Sequence, residues 1–279
     1  MVGSPVRRGI RYFGIVVVSA IMIFPFFWMI ANSFNSKAAI FEIPPQLVPD
    51  KLFKSDMFEN YAIVFGDYSF GRYLWNSLFV AGLASIGQVV TCATAGFALG
   101  TMRFPGRNLV FGLILATMMI PIHATIIPEY LIMDSLGWLN TYAPLIVPSF
   151  LIGTFGTFLF KTFFENSPRS LLDAAVIDGA APFPLFVRVF APLARGAVLT
   201  LLILAFMNNW NDLLRPVLYI HDRALWTSTL ALTQFQSQYS SEWNLLLTGA
   251  VVSTAPLLLL YAFLQRYIIE GVSRMGIKG

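Results

Sequence analysis

Long apolar stretches without a charged residue dominate the pattern along this chain. Five such windows cover residues 12–36, 73–102, 108–128, 135–160 and 243–265. A sixth, 196–211, is shorter and continues as an apolar run through Ile220, interrupted by Asp212 and Arg215. Since about 20 apolar residues cross a hydrocarbon core roughly 30 Å thick, the pattern predicts six transmembrane helices. We place them at about 12–34, 73–100, 108–128, 140–160, 196–220 and 243–265, in a single domain covering 1–279.

The composition supports this prediction. Of 279 residues, 57% are hydrophobic and only 11% are charged, whereas soluble domains carry about 25% charged residues. This excludes an ordinary soluble enzyme and a disordered chain. The single cysteine, Cys92, excludes an intrachain disulfide and a multi-thiolate metal site. The first apolar window is too long for the core of a signal peptide, so we expect it to remain as a helix.

The distribution of basic residues predicts the orientation. With six spans, the termini and the loops 103–107 and 161–195 share one side and hold 12 Lys and Arg residues, against six in the other three loops. Cytoplasmic segments carry the excess of Lys and Arg. We therefore expect both termini in the cytoplasm.

The long inside loop, about 161–195, carries signals for two short helices. Ser167 followed by Pro168 is a typical helix start, and Gly179 stands where a glycine would end that helix. A second short helix is expected to begin near Pro182 and to run through Phe190. From the residues alone, the loop is either a docking surface for another protein or an amphipathic linker on the membrane.

An ordered set of residues in this loop carries a family resemblance. It comprises Leu172, Asp173, Ala174, Ala175, Asp178, Gly179, Ala180, Phe186, Phe190 and Pro192. Further landmarks along the chain are Pro25, Trp28, Asn76, Ser77, Phe104, Pro105, Gly106, Arg107, Pro121, Pro128, Gly137, Asn140, Trp210, Asn211 and Pro216. The loop resembles the "EAA" cytoplasmic loop of ABC importer permeases, and the wider set is similar to their carbohydrate-uptake, maltose-type branch. Two residues depart from the pattern: Asp173 stands where the family usually has Glu, and Gly196 replaces a common proline.

The resemblance implies an all-α integral membrane protein with six transmembrane helices and a cytoplasmic two-helix coupling loop, the type I ABC importer permease fold. It implies a bacterial plasma (inner) membrane protein that pairs with a second permease subunit as a heterodimer. It also implies two copies of an ATP-binding subunit and an extracytoplasmic solute-binding protein. ATP and Mg would be bound by the partner subunits, with no cofactor in this chain.

The chain itself lacks the signature of a nucleotide site. A phosphate-binding P-loop needs a lysine directly after a glycine, and none of the five lysines follows one. His123 and His221 are far apart in sequence, with no spacing typical of zinc ligands. We therefore expect no catalytic residue and no metal site, and hence no enzyme.

The coupling residues implied by the resemblance are those of the loop, which would dock in a groove of the ATPase. The last residues of the chain provide a second candidate ATPase contact, at Gly276, Lys278 and Gly279. The segment between the fifth and sixth spans would contact the binding protein through Gln234, Gln236, Gln238 and Tyr239. A plain solvated loop would have much the same composition.

Polar residues in the fifth span suggest a translocation path. Asn208, Asn209, Trp210, Asn211 and Asp212 are costly to expose to lipid, so they should face the interior or lie at a helix end. We expect Trp210 to stack on a sugar ring and Asp212 to pair with Arg215. The alternative is that this cluster only helps helices to pack at the outer interface. In maltose-type importers the substrate contacts fall mainly on the other permease subunit.

The predicted function is the transmembrane subunit of an ATP-driven importer for a sugar or a sugar-like solute. Glycerol phosphate or another polyol remains an alternative solute. A stand-alone channel or secondary transporter is the alternative from another class, but it leaves the structured inside loop unexplained. An intramembrane enzyme is disfavoured because the spans contain almost no titratable groups.

Overall fold

The structure is a computed structural model that describes residues 5–44, 46, 48–168, 170, 172, 179–236 and 241–276. Throughout these residues the regular structure is helical, without a strand. The first half contains α1 (Pro5–Asn32), α2 (Glu59–Gly66), α3 (Phe70–Thr101), α4 (Arg107–Ala116), α5 (Ile122–Ser135) and α6 (Ala143–Ile146). The second half contains α7 (Thr154–Glu165), α8 (Pro182–Leu185), α9 (Ala191–Leu193), α10 (Arg195–Trp210), α11 (Leu214–Tyr219), α12 (Ser228–Leu232) and α13 (Trp243–Gly276).

Four helical stretches in the described residues are long and apolar enough to cross a membrane: Gly9–Asn32, Phe70–Thr101, Ala143–Glu165 and Trp243–Gln265. Two more candidates are bent pairs of helices. One joins Arg107–Met119 to Ile122–Ser135 at 101°, and the other joins Pro182–Leu193 to Arg195–Trp210 at 80°. Six spans result if each bent pair counts as one, which is the number that the hydropathy pattern predicts.

The third predicted helix, 108–128, is not continuous, and this correction has a local cause. The chain ends α4 at Ala116, passes through a short 3₁₀ turn at Thr117–Met119, and restarts at Ile122. Pro121 disfavours helical backbone at the preceding residue, and Ile120 is extended, with φ −88° and ψ 113°. The proline therefore breaks the predicted helix into two.

The fifth predicted helix, 196–220, is also interrupted. Helix α10 ends at Trp210, and α11 begins only at Leu214. A proline disfavours helical backbone through the residue four positions earlier, and Asp212, four residues before Pro216, lies in this break. The break brings the polar residues of this region to a helix end rather than to a helix centre.

Backbone contacts divide the chain into two compact units: Met1–Arg72 with Ala231–Pro256, and Tyr73–Leu230 with Leu257–Gly279. In the second unit, α3, α7 and α10 surround a core that includes Phe97, Phe160 and Leu201. Two glycines let α3 and α7 approach closely, because a Cβ at Gly96 would lie 2.8 Å from the Lys161 nitrogen and one at Gly100 would lie 3.0 Å from the Lys161 oxygen. Small residues at four-residue spacing are a common device for close packing of membrane helices.

The first unit contains a buried polar network. The Asn60 amide donates to the carbonyls of Ser33 and Asn35, both at 2.9 Å, and its oxygen accepts from the Asn244 amide at 3.0 Å. The Thr248 hydroxyl donates to the Ser33 carbonyl at 3.0 Å. These bonds tie the chain after α1 to α2 and to the start of α13, within this unit.

Candidate functional site

A groove of about 580 Å³ opens where α10 ends and α11 begins. The groove is lined by apolar side chains together with amide and charged side chains. The lining residues are Ile122, Leu204, Met207, Asn208, Asn211, Asp212, Leu213, Leu214 and Arg215. Three of the five residues predicted for the translocation path, Asn208, Asn211 and Asp212, therefore lie on one concave surface.

The side-chain amides of Asn208 and Asn211 share one helix face because the two residues are three positions apart. Both side chains are exposed. The Asn211 amide donates to the Met207 carbonyl at 2.8 Å and keeps its oxygen for another partner. In the described part of the chain, no hydrogen bond holds the Asn208 side chain. The groove thus presents amide groups that can donate to and accept from a hydroxyl-rich ligand.

The other two predicted path residues lie elsewhere. Asn209 is half-buried, and its amide donates to the Ala205 carbonyl at 2.8 Å. Trp210 is only 2% exposed and packs in a core cluster with Ala81 and Phe206, with ring centroids 5.4 Å apart in the Trp210–Phe206 stack. Its ring therefore supports the helix packing around the groove, instead of facing a sugar as expected from the sequence.

The charged residues of the groove pair differently from the sequence expectation. The Asp212 carboxylate accepts the backbone N–H of Arg215 at 3.3 Å, which holds the first turn of α11. The Arg215 guanidinium instead forms an ion pair with Glu129 of α5 at 3.5 Å. Both partners are largely buried, with 22% and 18% of their side chains exposed. No sequence pattern predicts this ion pair, since the two residues are far apart along the chain.

The predicted coupling loop is anchored to the core of the second unit by aromatic side chains. The ring of Phe186 lies 5.2 Å from that of Phe97 and 6.3 Å from that of Phe164. Phe190 is fully buried and lies 5.1 Å from Phe97. Leu172 packs against the same core. These contacts join the described part of the loop to α3 and α7.

Gly179 has φ +66°, a conformation that favours glycine, and a Cβ there would meet nothing within 4 Å. The neighbouring Ala180 and the more distant Pro192 are exposed. The predicted docking residues Asp173, Ala174, Ala175 and Asp178 lie outside the described residues. The described part of the loop thus turns at Gly179 and exposes its surface there.

Two polar landmarks of the family resemblance, Asn140 and Asn76, hold the segment after α11. The Asn140 side chain accepts the backbone N–H groups of His221 and Asp222 at 3.0 and 2.8 Å. The Asn76 amide donates to the carbonyls of Ala224 and Trp226, both at 2.9 Å. These amides satisfy backbone groups that no regular helix satisfies, which is a structural role that the resemblance left unassigned.

The remaining predicted contacts are only partly described. Gln234 is half-buried and Gln236 is exposed, on either side of the buried Phe235. Gln238 and Tyr239 lie outside the described residues, as do Lys278 and Gly279 of the predicted tail contact. Gly276 is the last residue of α13, so that helix continues well beyond the predicted end of the sixth span at 265.

Among the described residues, no group of three or more His, Cys, Asp or Glu side chains is arranged to hold a metal ion. His123 and His221 are both exposed.

Comparisons with known proteins identify the family of this chain. The family described as "Binding-protein-dependent transport system inner membrane component" matches residues 92–274. The arabinooligosaccharides transport system permease protein AraQ of Bacillus subtilis is 28% identical over 95% of this chain and 93% of that protein. The sn-glycerol-3-phosphate transport system permease protein UgpE of Brucella abortus is 30% identical over 96% of each chain.

A solved structure shares the fold. It is a chain of a bacterial ABC transporter involved in the import of the acidic polysaccharide alginate, with a TM-score of 0.82 and 21% identity over 96% of this chain and 99% of that one. The predicted all-α importer-permease fold is thereby confirmed. The chain belongs to the family of binding-protein-dependent transport system inner membrane components, and it is a membrane-embedded permease subunit of an ABC importer rather than an ATPase.

Proposed function

We propose that this chain forms one wall of the path for an uncharged sugar in an ATP-driven importer. The observation that carries the proposal is the groove at the end of α10, where the Asn208 and Asn211 amides and the Asp212 carboxylate line one surface. Sugar hydroxyls both donate and accept hydrogen bonds, and these groups offer both. The stand-alone channel is disfavoured by the family match, which covers residues 92–274.

The charge balance of the groove favours an uncharged solute over a phosphorylated one. Arg215 is the basic residue among the groove-lining side chains, and Glu129 neutralises it at 3.5 Å. Asp212 then leaves the groove with a net negative charge. A phosphate ester would need an uncompensated cation there, so we infer that a neutral oligosaccharide fits this path better than glycerol phosphate.

The proposal includes the partners that drive transport. A second permease subunit would complete the path, and two ATP-binding subunits would hold ATP and Mg and hydrolyse the nucleotide. The loop around Gly179 would dock on one of them from the cytoplasm, which requires both termini on that side. An extracytoplasmic binding protein would deliver the solute. Support for the coupling role comes from Phe186 and Phe190, which link the loop to the core of α3 and α7.

Two glycine substitutions test the coupling. Gly179→Ala places a Cβ on a residue with φ +66°, whereas Gly196→Ala places one at a helical position, and both Cβ atoms would occupy open space. In the reconstituted complex we expect Gly179→Ala to lower uptake severalfold while ATP hydrolysis continues, because the strained turn changes the docking surface. Gly196→Ala should leave both rates unchanged. Equal uptake in the two variants would overturn the coupling role.

A transport assay tests the solute class. The intact complex, copurified from native membranes in mild detergent and reconstituted with its binding protein, is supplied with a labelled arabinooligosaccharide or with labelled sn-glycerol 3-phosphate. We expect ATP-dependent uptake of the neutral sugar and little uptake of the phosphate ester. The opposite preference would contradict the neutral path. Purification of the chain without an ATPase would contradict the importer itself.

A further inference from the structure

A second cavity, of about 400 Å³, lies at the opposite end of α4 from the bend at Pro121. It is formed by the short connection between α3 and α4 and by the first turn of α4. Its lining residues are Arg103, Phe104, Gly106, Arg107, Asn108 and Leu109. Gly106 has φ +79°, which turns the chain back into the helix and sets both arginines on the cavity wall.

The cavity and its surroundings carry excess positive charge. Glu165, the last residue of α7, pairs with Arg107 at 3.2 Å and with Lys161 at 2.7 Å, so one carboxylate serves two cations. Arg103 is exposed, and no ion pair joins it to a carboxylate in the part of the chain that the structure describes. Among the described residues of this cluster, Arg103, Arg107 and Lys161 with Glu165 give a net charge of +2.

An apolar strip begins directly beside these arginines. None of the residues of α4 is buried within the chain. Leu109 and Leu113, one helical turn apart, are 68% and 61% exposed. Because α4 belongs to a candidate membrane span, this strip runs from the charged end of the helix into the hydrocarbon region. A cationic cavity and an apolar strip in this order are complementary to an anionic head group followed by an acyl chain.

We propose that this cavity binds an anionic phospholipid, with its phosphate on Arg103 and Arg107 and an acyl chain along Leu109 and Leu113. Guanidinium groups bind phosphate oxygens with paired, charge-assisted hydrogen bonds. Basic pockets at the ends of transmembrane helices attract anionic lipid head groups in the same way. A free phosphate would use the arginines alone, whereas a lipid uses the apolar strip as well, and the structure offers both surfaces together.

Native mass spectrometry of the intact delipidated complex tests the site. The complex is titrated with dioleoyl phosphatidylglycerol or with dioleoyl phosphatidylcholine as the uncharged comparison. We expect preferential binding of phosphatidylglycerol, and Arg103→Gln should weaken it about fivefold, the effect of one arginine on anionic-lipid attraction. Arg195→Gln is the matched control, since it removes an exposed arginine that does not line the cavity. It should retain the wild-type affinity.

Two results would overturn the proposal. If Arg103→Gln and Arg195→Gln lose the same affinity, or if neither loses any, the cavity has no special role in lipid binding. If inorganic phosphate displaces phosphatidylglycerol at comparable concentration, the site recognises the free anion rather than a lipid. Arg103→Lys keeps the positive charge. If this variant retains part of the affinity, the loss in Arg103→Gln comes from the missing charge and not from a misfolded loop. Uptake of sugar is not the readout, so these outcomes are independent of the proposed transport function.

Discussion

Two clusters of asparagine side chains in this apolar chain have different surroundings. In the first unit, Asn32, Asn35 and Asn60 are at most 2% exposed and bond to one another or to backbone carbonyls. In the second unit, Asn208 and Asn211 are exposed and line a groove. Asparagine side chains therefore stabilise the fold in the first unit and line an open surface in the second.

Polar residues in a membrane protein can either stabilise the fold or contact a solute, and these two clusters illustrate the two roles. A buried amide that satisfies backbone carbonyls stabilises the fold, because leaving such groups unpaired is costly. An exposed amide whose hydrogen-bonding capacity is only partly used contributes little to folding and is available to a ligand. Burial and hydrogen-bond partners thus distinguish a structural amide from a candidate solute contact, which residue type alone does not.

The largest expected effect is loss of stability from Asn60→Ala. This variant removes two hydrogen bonds to the carbonyls of Ser33 and Asn35 and the acceptor for Asn244. At about 1–3 kcal/mol for each buried group left unpaired, the free energy of unfolding should fall by about 3 kcal/mol. Thermal unfolding of the complex in mild detergent measures this change. Asn208→Ala is the control and should unfold at the wild-type temperature. A stable Asn60→Ala protein would contradict the structural role of the first cluster.

The second expected effect concerns transport. Replacing Asn208 and Asn211 together with alanine should lower uptake of a neutral oligosaccharide about tenfold, since two modest hydrogen bonds correspond to about 1.4 kcal/mol. Stability should not change, because neither side chain is buried. Initial uptake rates at limiting sugar concentration provide the measurement. Wild-type uptake by the double variant would place the solute path elsewhere.

The third expected effect concerns the charge of the groove and the charge of the solute that it accepts. Glu129→Gln removes the carboxylate that neutralises Arg215, so the net charge of the groove rises from negative to zero, with Asp212 and Arg215 both on its lining. We expect the ratio of sn-glycerol 3-phosphate uptake to neutral sugar uptake to rise about fivefold, equivalent to about 1 kcal/mol. Asp134→Gln, on the same helix and outside the groove lining, serves as the control. An unchanged uptake ratio would show that Arg215 does not influence the selectivity of transport for the charge of the solute.

The smallest expected effect lies in the loop between α1 and α2. A hydrogen bond from Lys51 to the Glu59 carboxylate raises the pKa of the Lys51 ammonium above its usual 10.5. The stabilisation from this pair is therefore complete below pH 10.5 and is lost as the pH rises through the higher pKa of the folded protein. Lys51→Met should reduce stability by less than about 1 kcal/mol at pH 8.

Unfolding temperatures at pH 8 and pH 11 provide the test for Lys51→Met, with the exposed Lys54→Met as the control. The difference between wild type and Lys51→Met should shrink at the higher pH. A difference that persists at pH 11 would show that packing of the lysine side chain, rather than its charge, is responsible.

The sequence predicts the long helices well but not their interruptions. Hydropathy places α1 and α3 within a few residues at most ends, because a membrane span is defined by its own apolar side chains. The proline at position 121 is a signal for a break. However, the apolar run continues through it, so the hydropathy pattern alone predicts one helix. Similarly, Pro216 favours a break before α11, but Pro25, Pro128 and Pro256 lie inside continuous helices, so a proline alone does not predict an interruption.

Contacts between distant residues are what the sequence does not predict. Glu129 and Arg215 pair across two helices, and no local pattern links them. Trp210 and Asn211 are neighbours with the same expected role, but the helix rotation buries the first and exposes the second. For Asn60, a position in a polar loop suggested nothing about its burial. Each of these outcomes depends on tertiary packing.

Solvent access to position 208 in the working importer tests the central claim most directly. The only native cysteine, Cys92, is buried, so Asn208→Cys in the reconstituted complex offers a specific target for a membrane-impermeant thiol reagent. We expect rapid modification that slows severalfold when a transported neutral sugar is present, while the buried Cys92 of the wild-type protein remains unmodified. Modification of Asn208→Cys that no neutral sugar slows, or none at all in any nucleotide state, would contradict the assignment of this groove to the solute path.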